Sequence, residues 1–343
     1  MYGKLGRFVR SSLPSYITNP LQYESQINVN TANQVLKNPM DMQISARLAK
    51  NFRRNLIERG IELLLMMAAL SAVFITIAIV AILLYESYTF FEHVSLYEFL
   101  TDTQWTPLFA DAHYGIMPLV SGTVTIAFIA LGFAIPVGTI GAIYLSEFAS
   151  HRVRETVKPI LELLEGVPTI VFGYFALLLV TPLLQKFIPG LPTFNLLGPG
   201  IVVGIMVIPY IASVAEDAMR AVPMSMREGS YAMGATRFQT AVRVVTPAAI
   251  SGIIAAYILA ISRAVGETMV VAIAAGQQPN LTFNPMDSAA TITAYIVQVA
   301  MGDLPHGSIG YQSIFAAGLV LMLMTLFFNV MGHLSRKKFR EAY

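Results

Sequence analysis

Residues 61–84 read IELLLMMAALSAVFITIAIVAILL. An α-helix needs about 20 such residues to cross the roughly 30 Å hydrocarbon layer of a bilayer. Working outward, five further apolar runs reach that length or approach it. They are 117–146, interrupted by Gly132 and Pro136; 160–184, carrying Gly166, Pro168 and Gly173; about 199–215, the shortest; about 248–276; and 312–334. The composition of the 343 residues agrees: 55% are hydrophobic and 12% charged, against roughly 25% charged in soluble chains. Mean hydropathy is +0.63. Too few polar groups exist to cover a soluble surface. The chain reads as an all-α integral membrane protein with six transmembrane helices.

Charge placement sets the topology. Of the 22 Lys and Arg residues, 20 fall on one side of this layout: in 1–60, in loop 148–159, in loop 216–247 and in the tail. The opposite loops hold only Lys186, and Arg263 lies inside the fifth span. The positive-inside rule and an even number of spans then place both termini in the cytoplasm. The first 20 residues carry charge without an apolar stretch, so no signal peptide is expected. Residues 1–60 form a cytoplasmic extension. Ile44, Leu48, Phe52 and Leu56 recur every four residues among Arg47, Lys50, Arg53 and Arg54, the pattern of a basic amphipathic helix on the membrane surface. Residues 61–335 form the membrane domain and 336–343 a basic tail. A formal charge of +2 gives no reason to expect nucleic acid. The absence of cysteine excludes disulfides and thiol chemistry. Five scattered histidines without HxxxH or HExxH spacing argue against a metal site.

A charge at mid-bilayer costs roughly 2.5–3.5 kcal/mol even on the lenient insertion scale, so Arg263 requires a reason. Glu267 follows four residues on, one turn away if the helix continues. Gly252, Ala256 and Ala260 continue that face as a small-residue row suited to close helix packing. Two readings stand side by side. The pair is a self-satisfied ion pair that fixes packing, or Arg263 lines a pathway and meets a passing oxyanion, for which guanidinium is the best-matched head group. Pro136 and Pro168 interrupt backbone hydrogen bonding where only a protein-lined cavity tolerates it. Glu162 and Glu165 are expected to be solvated or capping carboxylates at the start of the third span.

Loop 216–247 reads EDAMRAVPMSMREGSYAMGATRFQTAVRVVTP. Pro223 suits the first turn of a short helix, Gly234 breaks it, and a second helix is expected from near Thr236 to Pro247. Glu228, Gly234, Val244 and Pro247 keep the spacing of the EAA loop of ABC importer permeases, E-A-A-x3-G-x9-I-x-L-P. Gly229, Ser230 and Thr246 depart from it. SRAVGETMVV (262–271) resembles the R-A-x-G-E-T signature of phosphate-specific permeases of the PstC type. The stretches 120–148 and 161–173 are similar to the same family, and the resemblance spans about 114–335.

That resemblance implies a type I ABC importer permease of MetI-like fold. It implies a PstA-like permease as partner, two cytoplasmic ATPase subunits, and a phosphate-binding protein on the outer face. Glu228, Gly234 and Pro247 would belong to the ATPase-coupling loop, and Arg263 and Glu267 to the translocation path. No GxxxxGKS/T loop occurs, so ATP is expected on a partner chain and no cofactor in this one. The rival readings are a permease for sulfate or molybdate, and an ion-coupled carrier or channel.

Overall fold

Apolar runs of this length have no water to hydrogen-bond their backbone, so they close their hydrogen bonds within helices. The computed structural model describes residues 39–338 except 108, 110 and 303, with side chains from 57 to 335. The N-terminal residues before Pro39, and the side chains of the expected amphipathic segment 44–56, lie outside the described residues. The chain divides into two units, Met1–Ala78 and Ile79–Tyr343.

Helix α1 runs Pro39–His93 and α2 Leu96–Thr101. Helix α3, Met117–Ile143, continues through a π-helical turn at Tyr144–Phe148. It passes unbroken through Pro136, where the sequence suggested an interruption: the proline removes one hydrogen bond without ending the helix. Next come α4 (His151–Glu165), α5 (Thr169–Phe175), a π turn (Ala176–Val180) and α6 (Thr181–Phe187). Helix α7 spans Leu197–Arg220 and α8 Met224–Ala232. Then follow α9 (Arg237–Thr240), a π turn (Ala241–Val245), α10 (Thr246–Ala248), α11 (Ile250–Val265) and α12 (Met269–Ala274). Helices α13 (Ile292–Ala300) and α14 (Ile309–Lys338) complete the order.

Five stretches are long and apolar enough to span: Ile57–His93, Met117–Phe148, Thr169–Phe187, Leu197–Arg220 and Ile309–Ser335. A sixth is a bent pair, Arg237–Ala248 and Ile250–Val265, turned by 73°. Two expected boundaries move. The third span starts at Thr169, because Val167 precedes Pro168 and is disfavoured in the α region. Residues 160–165 therefore belong to α4, which Ser150 caps by accepting the Val153 N–H. Glu162 and Glu165 thus end a surface helix rather than start a membrane one. The fifth span stops at Val265, where Gly266 closes the helix.

In lipid, helices associate through close packing more than through the hydrophobic effect. Helices α3 and α7 make the central contact of the larger unit: a Cβ on Gly204 would lie 2.8 Å from the Ala130 carbonyl oxygen. Helix α11 packs on α7 in the same way, with Gly252 against Ala218. Ala256 and Ala260 of the small-residue row are fully buried. A separate aromatic cluster of Phe90, Phe99, Trp105 and Tyr295 stacks edge-to-face, as ring quadrupoles favour. Beside it, the loop 102–114 is tied by the Trp105–Tyr114 bridge and by the His113 ring against Asp102 at 2.9 Å.

Candidate functional site

Arg263 lies in the last turn of α11. Its Nη1 donates to the Tyr210 hydroxyl at 2.9 Å, and the guanidinium carbon stands 4.4 Å from the centre of the same ring. Tyr210 comes from α7, so the α7–α11 contact that the glycines permit also places the ring under the cation. The Arg263 Nε is buried and has no hydrogen-bond partner among the described residues. A buried unmade bond of this kind costs about 1–3 kcal/mol.

Glu267 is not that partner. The expected one-turn ion pair fails because α11 ends at Gly266, whose N–H bonds the Ser262 carbonyl. Beyond it the chain changes direction. The Glu267 carboxylate accepts the Val270 N–H at 3.2 Å, at the start of α12, and its backbone carbonyl accepts the Thr293 hydroxyl at 2.7 Å. Glu267 thus pins the break in the fifth span. The two residues still share a site. An open cleft of about 360 Å³ is lined by Thr169, Ser262, Arg263, Gly266, Glu267 and Thr268.

Glu165, at the end of α4, is the acid that feels Arg263. Partial burial pushes its carboxyl above the usual carboxylate range, and Glu162 adds to this, while the Arg263 charge pulls it back. The cleft thus offers a guanidinium held by one ring, with donor capacity left over, and the Thr169 hydroxyl, while the Ser262 and Thr268 hydroxyls donate to Asn329 and to the Gly266 carbonyl. That set suits an oxyanion.

The second expected site is the loop between α7 and α11. Pro223 precedes α8, and Glu228 lies exposed on that helix. Gly234 takes φ +83°, a conformation that side-chain-bearing residues adopt at a cost. Thr236 and Gln239 then form a reciprocal capping box that starts α9. The Ser230 and Thr240 hydroxyls, 2.8 Å apart, tie the two helices together. Pro247 sits inside α10 rather than ending the second helix, and the bend falls after Ala248.

Sequence reading missed what holds this hairpin. Arg227 of α8 donates to both carboxylate oxygens of Glu147, at 2.9 and 3.3 Å. It also donates to the carbonyls of Val222 (2.6 Å) and Met219 (2.8 Å). Both side chains are at most 10% exposed. The hairpin is thereby joined to the end of the second span and the end of the fourth. The signal was a lone acid closing an apolar run at YLSEF, but its partner lies 80 residues away. A similar anchor sits on α4. Glu216, fully buried, receives Lys158 at 2.9 Å and lies 3.5 Å from Arg154 and 3.7 Å from Arg220. Lys158 also binds Asp217. Burial pulls the Lys158 ammonium down, but its bonds to Asp217 and Glu216 outweigh that and hold it above the ordinary lysine value.

Residues 134–341 match a family described as "Binding-protein-dependent transport system inner membrane component". The chain is 33% identical over 308 residues to the probable ABC transporter permease protein YqgH of Bacillus subtilis, covering 89% of this chain and 99% of that one. It is 30% identical over 298 residues to the phosphate transport system permease protein PstC of Haemophilus influenzae, covering 80% and 92%. Among solved structures, a bacterial alginate ABC transporter in complex with an alginate pentasaccharide-bound periplasmic protein superposes with a TM-score of 0.57 at 17% identity, covering 82% of this chain and 96% of that one. That last likeness concerns the fold. With its spans, its broken fifth helix and these matches, the chain belongs to the family of binding-protein-dependent inner-membrane transport components: it is a multi-pass permease subunit of an ABC importer, with the type I permease fold.

Proposed function

We propose that this permease moves inorganic phosphate into the cell. One observation carries the reading: the half-buried Arg263 lines an open cleft, and its Nε, itself buried, has no hydrogen-bond partner among the described residues. Phosphate offers the bidentate oxygens that such a group binds best. The phosphate-transport names of PstC relatives at about 30% identity support the same substrate. Arg263 and Glu267 mark the translocation path in this account, Arg263 as the anion contact and Glu267 as the brace of the broken span.

The permease pairs with a PstA-like permease that completes the cleft, and two ATPase subunits dock on the loop that presents Glu228, Gly234 and Pro247. A phosphate-binding protein delivers substrate at the outer face. Both termini lie in the cytoplasm. Residues 1–60 serve as a cytoplasmic extension, 61–335 as the permease domain and 336–343 as a basic tail. ATP-driven closure of the ATPases moves the α8–α9 hairpin, and the Arg227–Glu147 tie passes that motion to the second span.

The test is uptake of labelled phosphate by cells that depend on this chain, with unlabelled phosphate, sulfate or molybdate as competitor. Competition by unlabelled phosphate alone is the expected result. Equal competition by sulfate or molybdate would move the substrate assignment to another oxyanion and leave the permease assignment standing.

A further inference from the structure

Three spans end around a cavity of about 750 Å³ that is separate from the Arg263 cleft. Phe148 closes the second span, Arg220 closes the fourth, and Arg237 opens the bent fifth. All three line the cavity. So do Arg154 and Arg227, and the one carboxylate in the lining is Glu147.

The charges there do not balance. Glu147 is taken up by Arg227. Arg154 is held in place by the carbonyls of Leu145 and Ser146, at 2.9 and 3.2 Å. Glu216, behind the cavity, is shared among Arg154, Lys158 and Arg220, and Asp217 answers Lys158. Arg220 is half exposed and reaches Glu216 only at 3.7 Å. Arg237 makes neither a side-chain hydrogen bond nor an ion pair with a described residue. Positive charge on this side of the membrane follows from topology. Topology does not explain why four guanidinium groups converge on one cavity with a single acid among them.

We propose that this cavity binds a phosphate group, gripped by Arg220 and Arg237 above a floor formed by Arg154 and Arg227. Guanidinium forks match phosphate oxygens in pairs. The depth also fits, since the ends of spans lie at the headgroup level, where basic pockets between helices hold anionic lipid headgroups. The same chemistry would serve a free phosphate ion. Arg227, Met224 and Tyr231 bring the coupling hairpin into the lining, so an occupant would brace that hairpin. The inference does not depend on which substrate crosses the membrane, because no residue lines both this cavity and the Arg263 cleft.

The test compares the full chain, purified with its co-purifying subunits, against an Arg220→Gln/Arg237→Gln variant. These two side chains are chosen because neither holds the fold as Arg154 and Arg227 do. Delipidated protein is titrated in one arm with phosphatidylglycerol, using phosphatidylcholine as the neutral control, and in the other with inorganic phosphate. Native mass spectrometry reads lipid occupancy and equilibrium dialysis reads the ion. Binding about tenfold or more tighter in the unsubstituted protein is expected. A difference in the phosphatidylglycerol arm assigns a headgroup, and a difference in the phosphate arm alone assigns the free ion. Arg237→Lys, which keeps the charge, should retain part of the binding. Proteins that elute alike on size exclusion and bind alike in both arms would overturn the proposal.

Discussion

Arg263 meets Tyr210 twice, through the ring face and through the hydroxyl. Substituting Tyr210→Phe removes the hydrogen bond and keeps the cation–π contact, so uptake should fall modestly. Tyr210→Ala should cost far more, because it releases the guanidinium altogether. Arg263→Gln should abolish uptake while the complex still assembles, and Arg263→Lys should not rescue it, since an ammonium lacks the paired donors. Labelled-phosphate uptake alongside subunit pull-down separates these outcomes; full uptake by Arg263→Gln would return the residue to a packing role. In loop 102–114, His113 pairs with Asp102. The hydrogen bond to Asp102 raises the His113 pKa above the ordinary imidazole value, and the nearby acids add to it against slight desolvation. Asp102 is raised by burial but brought below its usual range by His113 and the Gln104 N–H. The His113 contribution is complete below about pH 6.5 and fades as pH rises through the raised value. The Asp102 contribution is lost only as pH falls through its lowered one. Hydrogen exchange in 102–115, corrected for intrinsic rate, should therefore be slower at pH 5.5 than at pH 8.5, and His113→Ala should erase the difference. Arg263 was legible in the sequence because a mid-span charge is rare. Its partner was not, because nothing in a single chain aligns one span with another. Glu267 was misplaced because a helix was carried through Gly266, the residue that ends it.

The α8–α9 hairpin is legible in outline for a local reason. Pro223, Gly234 and the Thr236/Gln239 capping box are short-range signals, and each acts within four residues. Gly234→Ala meets no steric neighbour, so its cost is purely that of a positive φ, about 1–2 kcal/mol. It should lower uptake and ATPase coupling with little change in expression, and Gly234→Asn should be milder. The Arg227–Glu147 tie is long-range and was invisible for that reason. Removing one partner of a buried pair costs about 3–5 kcal/mol. Arg227→Met should accordingly lower the thermal stability of the detergent-solubilised complex and uncouple ATP hydrolysis from uptake. The double variant Glu147→Gln/Arg227→Gln should recover part of the stability, because no charge is left unpaired. A single variant as stable and as well coupled as the unsubstituted protein would remove Arg227 from the mechanical path. Helix α4 shows the opposite failure. Its last six residues, 160–165, read in the sequence as the start of the third span, since Ile160 and Leu161 continue smoothly into the apolar run, and only the Val167–Pro168 step marks the boundary.

At the scale of the whole molecule, the six spans follow from run length and their orientation from the 20-to-1 split of basic residues between the two sides, two properties that need no tertiary contact. What the sequence could not show is how the spans divide the work. Five are straight enough to count as single crossings, while the fifth in order is bent by 73° between Ala248 and Ile250, just after the α8–α9 hairpin, and broken again at Gly266–Thr268. Those two breaks place the hairpin and the Arg263 cleft on one broken element, so force applied at the hairpin has a short route to the cleft. An importer built this way should be inert without a separate ATPase. The most direct test is uptake into proteoliposomes holding the complex purified through a tag on this chain. Phosphate accumulation should require enclosed ATP and an added phosphate-binding protein, and should survive a protonophore. Accumulation that ignores ATP and collapses with the protonophore would contradict the account and identify an ion-coupled carrier instead.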